Sequence, residues 1–179
     1  MIWEVSGRAD PRARVLADRH YSRKTIGAVQ FAPPGRCCVF YAETATGRAF
    51  WVTSYPYTEY VMHDWAGAWL CAAFRNEGAG IASEMIIDAV AATRAYFGEP
   101  PELGMITFIN TRKVRPTYVR GRPTWGRTYT LAGFREVGKT KNGLLVFQLF
   151  PEDMPAARAA IRRNEQLTVF DYIDRDAYA

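Results

Sequence analysis

From Ile81 to Phe97, the positions Ile81, Met85, Ile86, Ala89, Val90, Thr93 and Phe97 recur near the 3.6-residue period of a helix with one buried face. Gly98-Glu99-Pro100-Pro101 stops that helix. Most of the remaining pattern is that of strands. Arg36–Ala42 and Arg48–Ser54 are apolar runs of β-branched and aromatic residues, and the turn Thr44-Ala45-Thr46-Gly47 between them predicts a hairpin. Trp65–Phe74 and Leu103–Asn110 predict two further strands, the first of them central. Phe134–Gly138 and Leu144–Phe150 flank Lys141-Asn142-Gly143, where Asn-Gly is a strong hairpin signal. Pro11–Arg19 predicts a helix with Asp10 as N-cap and Pro11 at its first position. Shorter helices are predicted at Trp125–Ala132 and about Met154–Gln166. The connections are a Gly/Pro-rich loop at Gly27–Gly35, an aromatic-rich segment at Tyr55–Asp64 and a basic loop at Arg112–Thr124.

The predicted order is α-β-β-β-loop-α-β-α-β-β, an α/β (α+β) fold with a mixed central sheet flanked by helices. Residues 1–150 form one domain in this reading, and residues 151–179 a helical, acidic extension that could cover a sheet edge or join two copies as a homodimer. Repeats and low-complexity tracts are lacking.

The junction between the central strand and the long helix carries the most specific chemistry. Phe74-Arg75-Asn76-Glu77-Gly78-Ala79-Gly80 reads as strand, short glycine loop and helix start. Glycines let backbone N–H groups close on an anion, the helix adds its positive dipole end, and Arg75 adds a fixed charge. Phosphate or pyrophosphate is the natural ligand of such a loop. It is neither a P-loop nor the dinucleotide fingerprint, because Gly-Lys-Ser/Thr and the first glycine are missing.

Composition sharpens this picture. The net charge is +5, yet Arg112–Lys141 holds nine Lys/Arg against the single acid Glu136, so the surplus is concentrated in one stretch. Tyr118, Trp125 and Tyr129 interleave with that charge, a pattern suited to phosphate contacts beside stacked bases. A polyanion, nucleic acid above all, is the expected partner. The 3 cysteines lack metal spacing and only 2 histidines occur, so a metal site is not indicated. Lack of an apolar run of about 18 residues argues against a membrane span. The first residues lack the blocks of a signal peptide, and reduced thiols fit a cytoplasmic location.

The element order resembles that of the GNAT acyltransferases, and two details add to it. Arg75-x-x-Gly78-x-Gly80 is similar to the motif that family places at the pyrophosphate of coenzyme A, and Tyr129-Thr-Leu-Ala-Gly133-Phe134 to its closing Tyr-x-x-x-Gly-Phe. Five blocks resemble a narrower group, the Mom family of bacteriophage DNA-modification proteins. They are His20-Tyr-Ser-Arg-Lys24, Phe74-Arg-Asn-Glu-Gly78, Asn110-Thr-Arg-Lys-Val-Arg115, Leu131-Ala-Gly-Phe134 and Gly138-Lys-Thr-Lys-Asn-Gly-Leu144, in order over about residues 20–150.

These resemblances imply an anti-restriction enzyme of the bacterial host cytoplasm that adds a carbamoylmethyl or acyl group to a DNA base amine, adenine N6 foremost. They imply acetyl-CoA or another acyl-CoA as donor, held at Arg75, Gly78, Ala79 and Gly80, with Asn110 on its pantetheine arm. Tyr129 is the expected acid toward the departing thiolate, and Glu77 and His20 are the candidate bases. The target base must be extruded or single-stranded. Arg112, Lys113, Arg115, Arg120 and Arg122 are expected on the DNA backbone, and Trp125 or Tyr21 against the extruded base. The competing reading is an acetyl-CoA-dependent N-acetyltransferase acting on an aminated thymine in DNA or on a small-molecule amine. A third is a DNA-binding module that keeps the fold without a donor.

Overall fold

The computed structural model describes residues 2–162. Its centre is a seven-stranded mixed sheet in the order β1-β2-β3-β4-β5-β9-β8. In chain order these are β1 (Glu4–Ser6), β2 (Arg36–Glu43), β3 (Arg48–Tyr55), β4 (Trp69–Glu77), β5 (Met105–Ile109), β8 (Arg135–Lys139) and β9 (Leu145–Leu149). A separate two-stranded ribbon comprises β6 (Thr117–Val119) and β7 (Arg122–Thr124). The helices are α1 (Pro11–Asp18), α2 (Ala82–Phe97) and α3 (Arg127–Leu131). All neighbouring strands of the large sheet are antiparallel except β4 and β5, which are parallel and joined through α2. This is a mixed α+β architecture, as the sequence predicts.

Each helix begins and ends where its residues dictate. The Asp10 carboxylate accepts the Arg12 N–H and caps α1. Met85, Ile86, Ala89 and Val90 turn the buried face of α2 to the sheet, and Gly98 closes the helix with its N–H on the Arg94 carbonyl. On that face lies the main core, built on Trp3, Phe40, Trp51, Trp69, Met105 and Phe147. A smaller core under α1 gathers Leu16, Val39, Tyr41, Phe50 and Val52. Beneath α2 the Trp51 indole donates to Thr53 Oγ1 at 2.6 Å, and Thr93 Oγ1 donates to the Ala89 carbonyl at 2.8 Å.

Four expectations need correction. The chain opens on a strand, β1, not on α1; three residues are too short for a period to show. The central strand starts at Trp69 and runs to Glu77, because Trp65–Ala68 forms a turn closed by the Ala68 N–H on the Trp65 carbonyl. The basic loop contains the β6–β7 ribbon. The helix expected from Met154 is not formed within the described residues. After a 3-10 turn at Pro151–Asp153, the chain runs extended to Arg162. There tertiary partners outbid helix propensity: Arg158 N–H bonds the Ala91 carbonyl, Ile161 exchanges backbone hydrogen bonds with Trp3 and Val5, and Arg94 donates to the Pro155 carbonyl. The rest of the predicted helix and the acidic tail lie outside the described residues.

The β2–β3 turn is seated on the end of β4. Thr46 Oγ1 donates to the Gly78 carbonyl at 2.7 Å, and Gly47 lies so close that a Cβ there would overlap the Glu77 carbonyl oxygen. Gly47→Ala is therefore expected to cost about 1–3 kcal/mol by overpacking, against less than about 0.5 kcal/mol for Gly7→Ala, whose Cβ would meet nothing within 4 Å. Urea denaturation of both variants checks the contrast.

Candidate functional site

The parallel pair at the centre of the sheet does not stay paired. β4 and β5 are in register at Trp69↔Met105, Leu70↔Ile106 and Cys71↔Thr107, and then part. The cause lies on the other edge of β4. There Thr53 of β3 pairs with Cys71 and the preceding Val52 with Ala73, leaving Ala72 as an extra residue. Such a bulge bends its strand, and the bend carries Phe74–Glu77 away from β5. Side chains take up the backbone groups at the parting. Thr107 Oγ1 donates to the Cys71 carbonyl at 3.2 Å, and the Tyr21 hydroxyl donates to the Phe108 carbonyl at 2.9 Å.

A cavity of about 380 Å³ opens in this gap. Its walls come from β4 (Cys71, Arg75), β5 (Thr107), the chain after α1 (His20, Tyr21) and α3 (Arg127, Tyr129). Arg115 and the ribbon's Thr117 and Thr124 stand at its side, and Ala82, the first residue of α2, reaches it too. Arg75, Arg115 and Arg127 are its charged residues, and no Asp or Glu lines it. The cavity is thus electropositive and suited to an anionic ligand.

Tyr129 is delivered by α3. Gly126 starts that helix at φ 70°, and a Cβ there would run into the Phe147 ring, so the position requires glycine twice over. The Tyr129 ring packs edge-on against Phe134 at 5.3 Å, and its hydroxyl lies 3.5 Å from Cys71 Sγ. Burial raises the Tyr129 phenol well above its ordinary range and pushes the Cys71 thiol up to about 12. Both are protonated at neutral pH, so the pair offers a proton donor and not a thiolate nucleophile.

His20 sits on the opposite wall, its ring 4.5 Å from that of Tyr21. Burial, assisted by the Arg75 charge, lowers its pKa to about 4. Ser22 Oγ is 2.7 Å from Nδ1, and the Ser22 backbone N–H donates to the same nitrogen at 3.3 Å. A backbone N–H can only donate, so Nδ1 is the accepting nitrogen and the proton of the neutral ring is assigned to Nε2. Arg75 fixes this wall. Its Nε donates to Glu77 Oε1 at 2.6 Å and its Nη1 to the Arg19 carbonyl at 2.7 Å, while Arg19 Nη2 donates to Glu77 Oε2 at 2.6 Å.

Compared with known proteins, the chain matches no family model, no curated protein and no solved structure.

The structure brings His20, Tyr21, Arg75, Arg115 and Tyr129 to one cavity. Glu77 does not line it; its carboxylate is held between Arg75 and Arg19. Nor do Gly78, Ala79 and Gly80. Asn76 closes their loop upon itself, accepting the Ala79 N–H and donating to the Gly80 carbonyl. Asn110 caps the following turn through the Arg112 N–H and lines a neighbouring pocket with Tyr21, Ser22 and Lys113. The Trp125 indole bonds the Val114 carbonyl and faces a different groove. Arg112, Lys113, Arg120 and Arg122 are exposed outside the cavity. Sequence reasoning overlooked Cys71, Thr107 and Arg127 as site residues. Arg127 lay within the basic stretch, whereas Cys71 and Thr107 carry no local signal. Among the described residues no group of His, Cys, Asp and Glu is arranged to hold a metal, and no helix is long and apolar enough to cross a membrane.

The lowered pKa of His20 has a defined sign. Between its ordinary value of about 6.5 and the folded value of about 4, the unfolded chain binds a proton that the folded one refuses. Stability is therefore expected to fall as pH drops through that window. NMR titration should place the His20 midpoint near 4, and His20→Gln should flatten the urea-midpoint profile over the same range.

Proposed function

We propose that the protein transfers a carbamoylmethyl or acyl group to an exocyclic amine of a DNA base, adenine N6 foremost, at the gap between β4 and β5. The observation that carries this reading is a strand-parting cavity walled by Arg75, Arg115 and Arg127, without a carboxylate, and holding the protonated Tyr129. A phosphate-bearing donor and a nucleic-acid acceptor are both anionic, and such a wall attracts both. The resemblance to the Mom family and to GNAT acyltransferases supplies the chemistry of the transferred group.

The residues fit an acyl-CoA donor in charge, though not through the glycine loop. Arg75, Arg115, Arg127 and the start of α2 at Ala82 are the groups available to its phosphates. A carbamoylmethyl product is an alkylated amine and would need a donor with an activated alkyl carbon; for an acyl product, acyl-CoA supplies an activated acyl carbon and a thiolate leaving group. Tyr129 is the acid that gives that thiolate its proton. His20, neutral near pH 7 and on the cavity wall, is the group available to take up the amine's proton. Its low pKa makes it a weak base that releases the proton readily. Positioning therefore supplies most of the rate. Glu77 acts as a positioning residue, holding Arg75 and Arg19, and through them the backbone that carries His20.

A second reading is acetylation of a small amine or of an already aminated thymine, which the modest cavity volume of about 380 Å³ would also admit. Nucleoside mass spectrometry of DNA from expressing cells separates the readings. A new adenine mass is expected with the wild type, with Tyr129→Phe lowering its yield by about 10²-fold or more and Arg75→Ala abolishing it. Unmodified DNA, with acetylation of added amines by the purified protein, would transfer the assignment to the second reading.

A further inference from the structure

The ribbon takes little part in the core, and none of its strand residues is buried. β6 and β7 pair at Thr117↔Thr124, Tyr118↔Pro123 and Val119↔Arg122, and only the root is tied down. Thr124 Oγ1 donates to the Thr117 carbonyl at 2.8 Å, and the Trp125 indole donates to the Val114 carbonyl at 2.9 Å. On one side of the root lies the cavity, lined by Thr117 and Thr124; on the other a groove lined by Pro123 and Trp125. The tip is Arg120-Gly121, with φ 50° and 76°. Two successive positive φ angles suit a two-residue hairpin, but Asn or Gly normally takes the first position. Among the described residues Arg120 is the one non-glycine with positive φ. Turn stability does not favour arginine there, so the strain points to a use for its guanidinium. Arg120 and Arg122 are exposed and, among the described residues, enter no ion pair. Tyr118 is 69% exposed beside them, opposite Pro123.

Resting on the proposed transfer to a DNA base, we infer that the β6–β7 ribbon docks in the major groove of duplex DNA and sets the target base over the cavity. The major groove admits a two-stranded ribbon. A ribbon carrying Arg120 and Arg122 at its tip supplies contacts to phosphates and base edges, and Tyr118 with Pro123 gives it one apolar face for the bases or sugars. The other aromatic side chains near the gap are engaged: Tyr21 on the Phe108 carbonyl, Tyr129 beside Cys71 and Trp125 on the Val114 carbonyl. Because the ribbon's root is also the cavity wall, a duplex gripped at the tip has its nearest base pairs beside the opening. Selection of a duplex, and not of an already single-stranded target, follows from that placement.

The test is fluorescence anisotropy of a labelled duplex and its single strand over a salt series, run with the full chain. The Arg120→Ser/Arg122→Ser variant should weaken duplex binding at least tenfold and lower the log–log salt slope by about 2. Tyr118→Ala should weaken it with the slope unchanged, while Arg14→Ser on α1 leaves both intact. Circular dichroism confirms folding of each variant. Ribbon variants that bind duplex like the wild type, while the wild type still modifies adenine, would sink the ribbon assignment and leave the reaction standing. Ribbon-dependent duplex binding without any base modification would do the reverse. Preference of the wild type for single strand or RNA, or failure to bind nucleic acid at all, would also overturn the duplex assignment.

Discussion

One extra residue in one strand organises this protein. Ala72 is unpaired between β3 and β4, and the bend it imposes parts β4 from β5 after only three paired positions. Without that parting, the parallel pair would continue and its interior would be filled like the rest of the sheet. With it, Cys71, Thr107 and Tyr129 meet His20 and Tyr21 across a gap in the sheet. The freed carbonyls of Cys71 and Phe108 are satisfied by Thr107 and Tyr21, which keeps the gap open at little polar cost.

The walls of the gap are held by unequal means. On the side of α2 and α3 the hold is packing: Gly126 against Phe147, Tyr129 against Phe134, and a continuous apolar core behind them. On the side of α1 it is charge. Arg75, Glu77 and Arg19 form a partly exposed network that pins the chain carrying His20. Partly exposed ion pairs are individually weak and salt-sensitive. The His20 wall is therefore held by salt-sensitive contacts and the Tyr129 wall by packing.

Protonation follows the same division. Burial keeps both the Tyr129 phenol and the Cys71 thiol protonated, while the Arg75 charge adds to burial in keeping His20 neutral. A donor and an acceptor of protons thus face one another in a cavity whose fixed charges are all positive. Where carboxylates are present nearby, as with Glu77, they are consumed by structure.

The sequence by itself determined most of the elements. The helical period from Ile81, the Asn-Gly turn, the hairpin around Thr44–Gly47 and the Asp10 cap are local signals, and local physics suffices for them. It also located the basic stretch and the two blocks that supply His20 and Tyr129. Tertiary structure decided the rest, because the deciding partners are distant in the chain. Whether Asn76 would turn inward and close the Gly78–Gly80 loop, whether Glu77 would be captured by Arg19, and whether residues 154–162 would be drawn out along Trp3 and Ala91 each depended on such a partner. The bulge at Ala72 is the clearest case: a run of two alanines carries no mark of it, and it exists only in the pairing of β4 with β3.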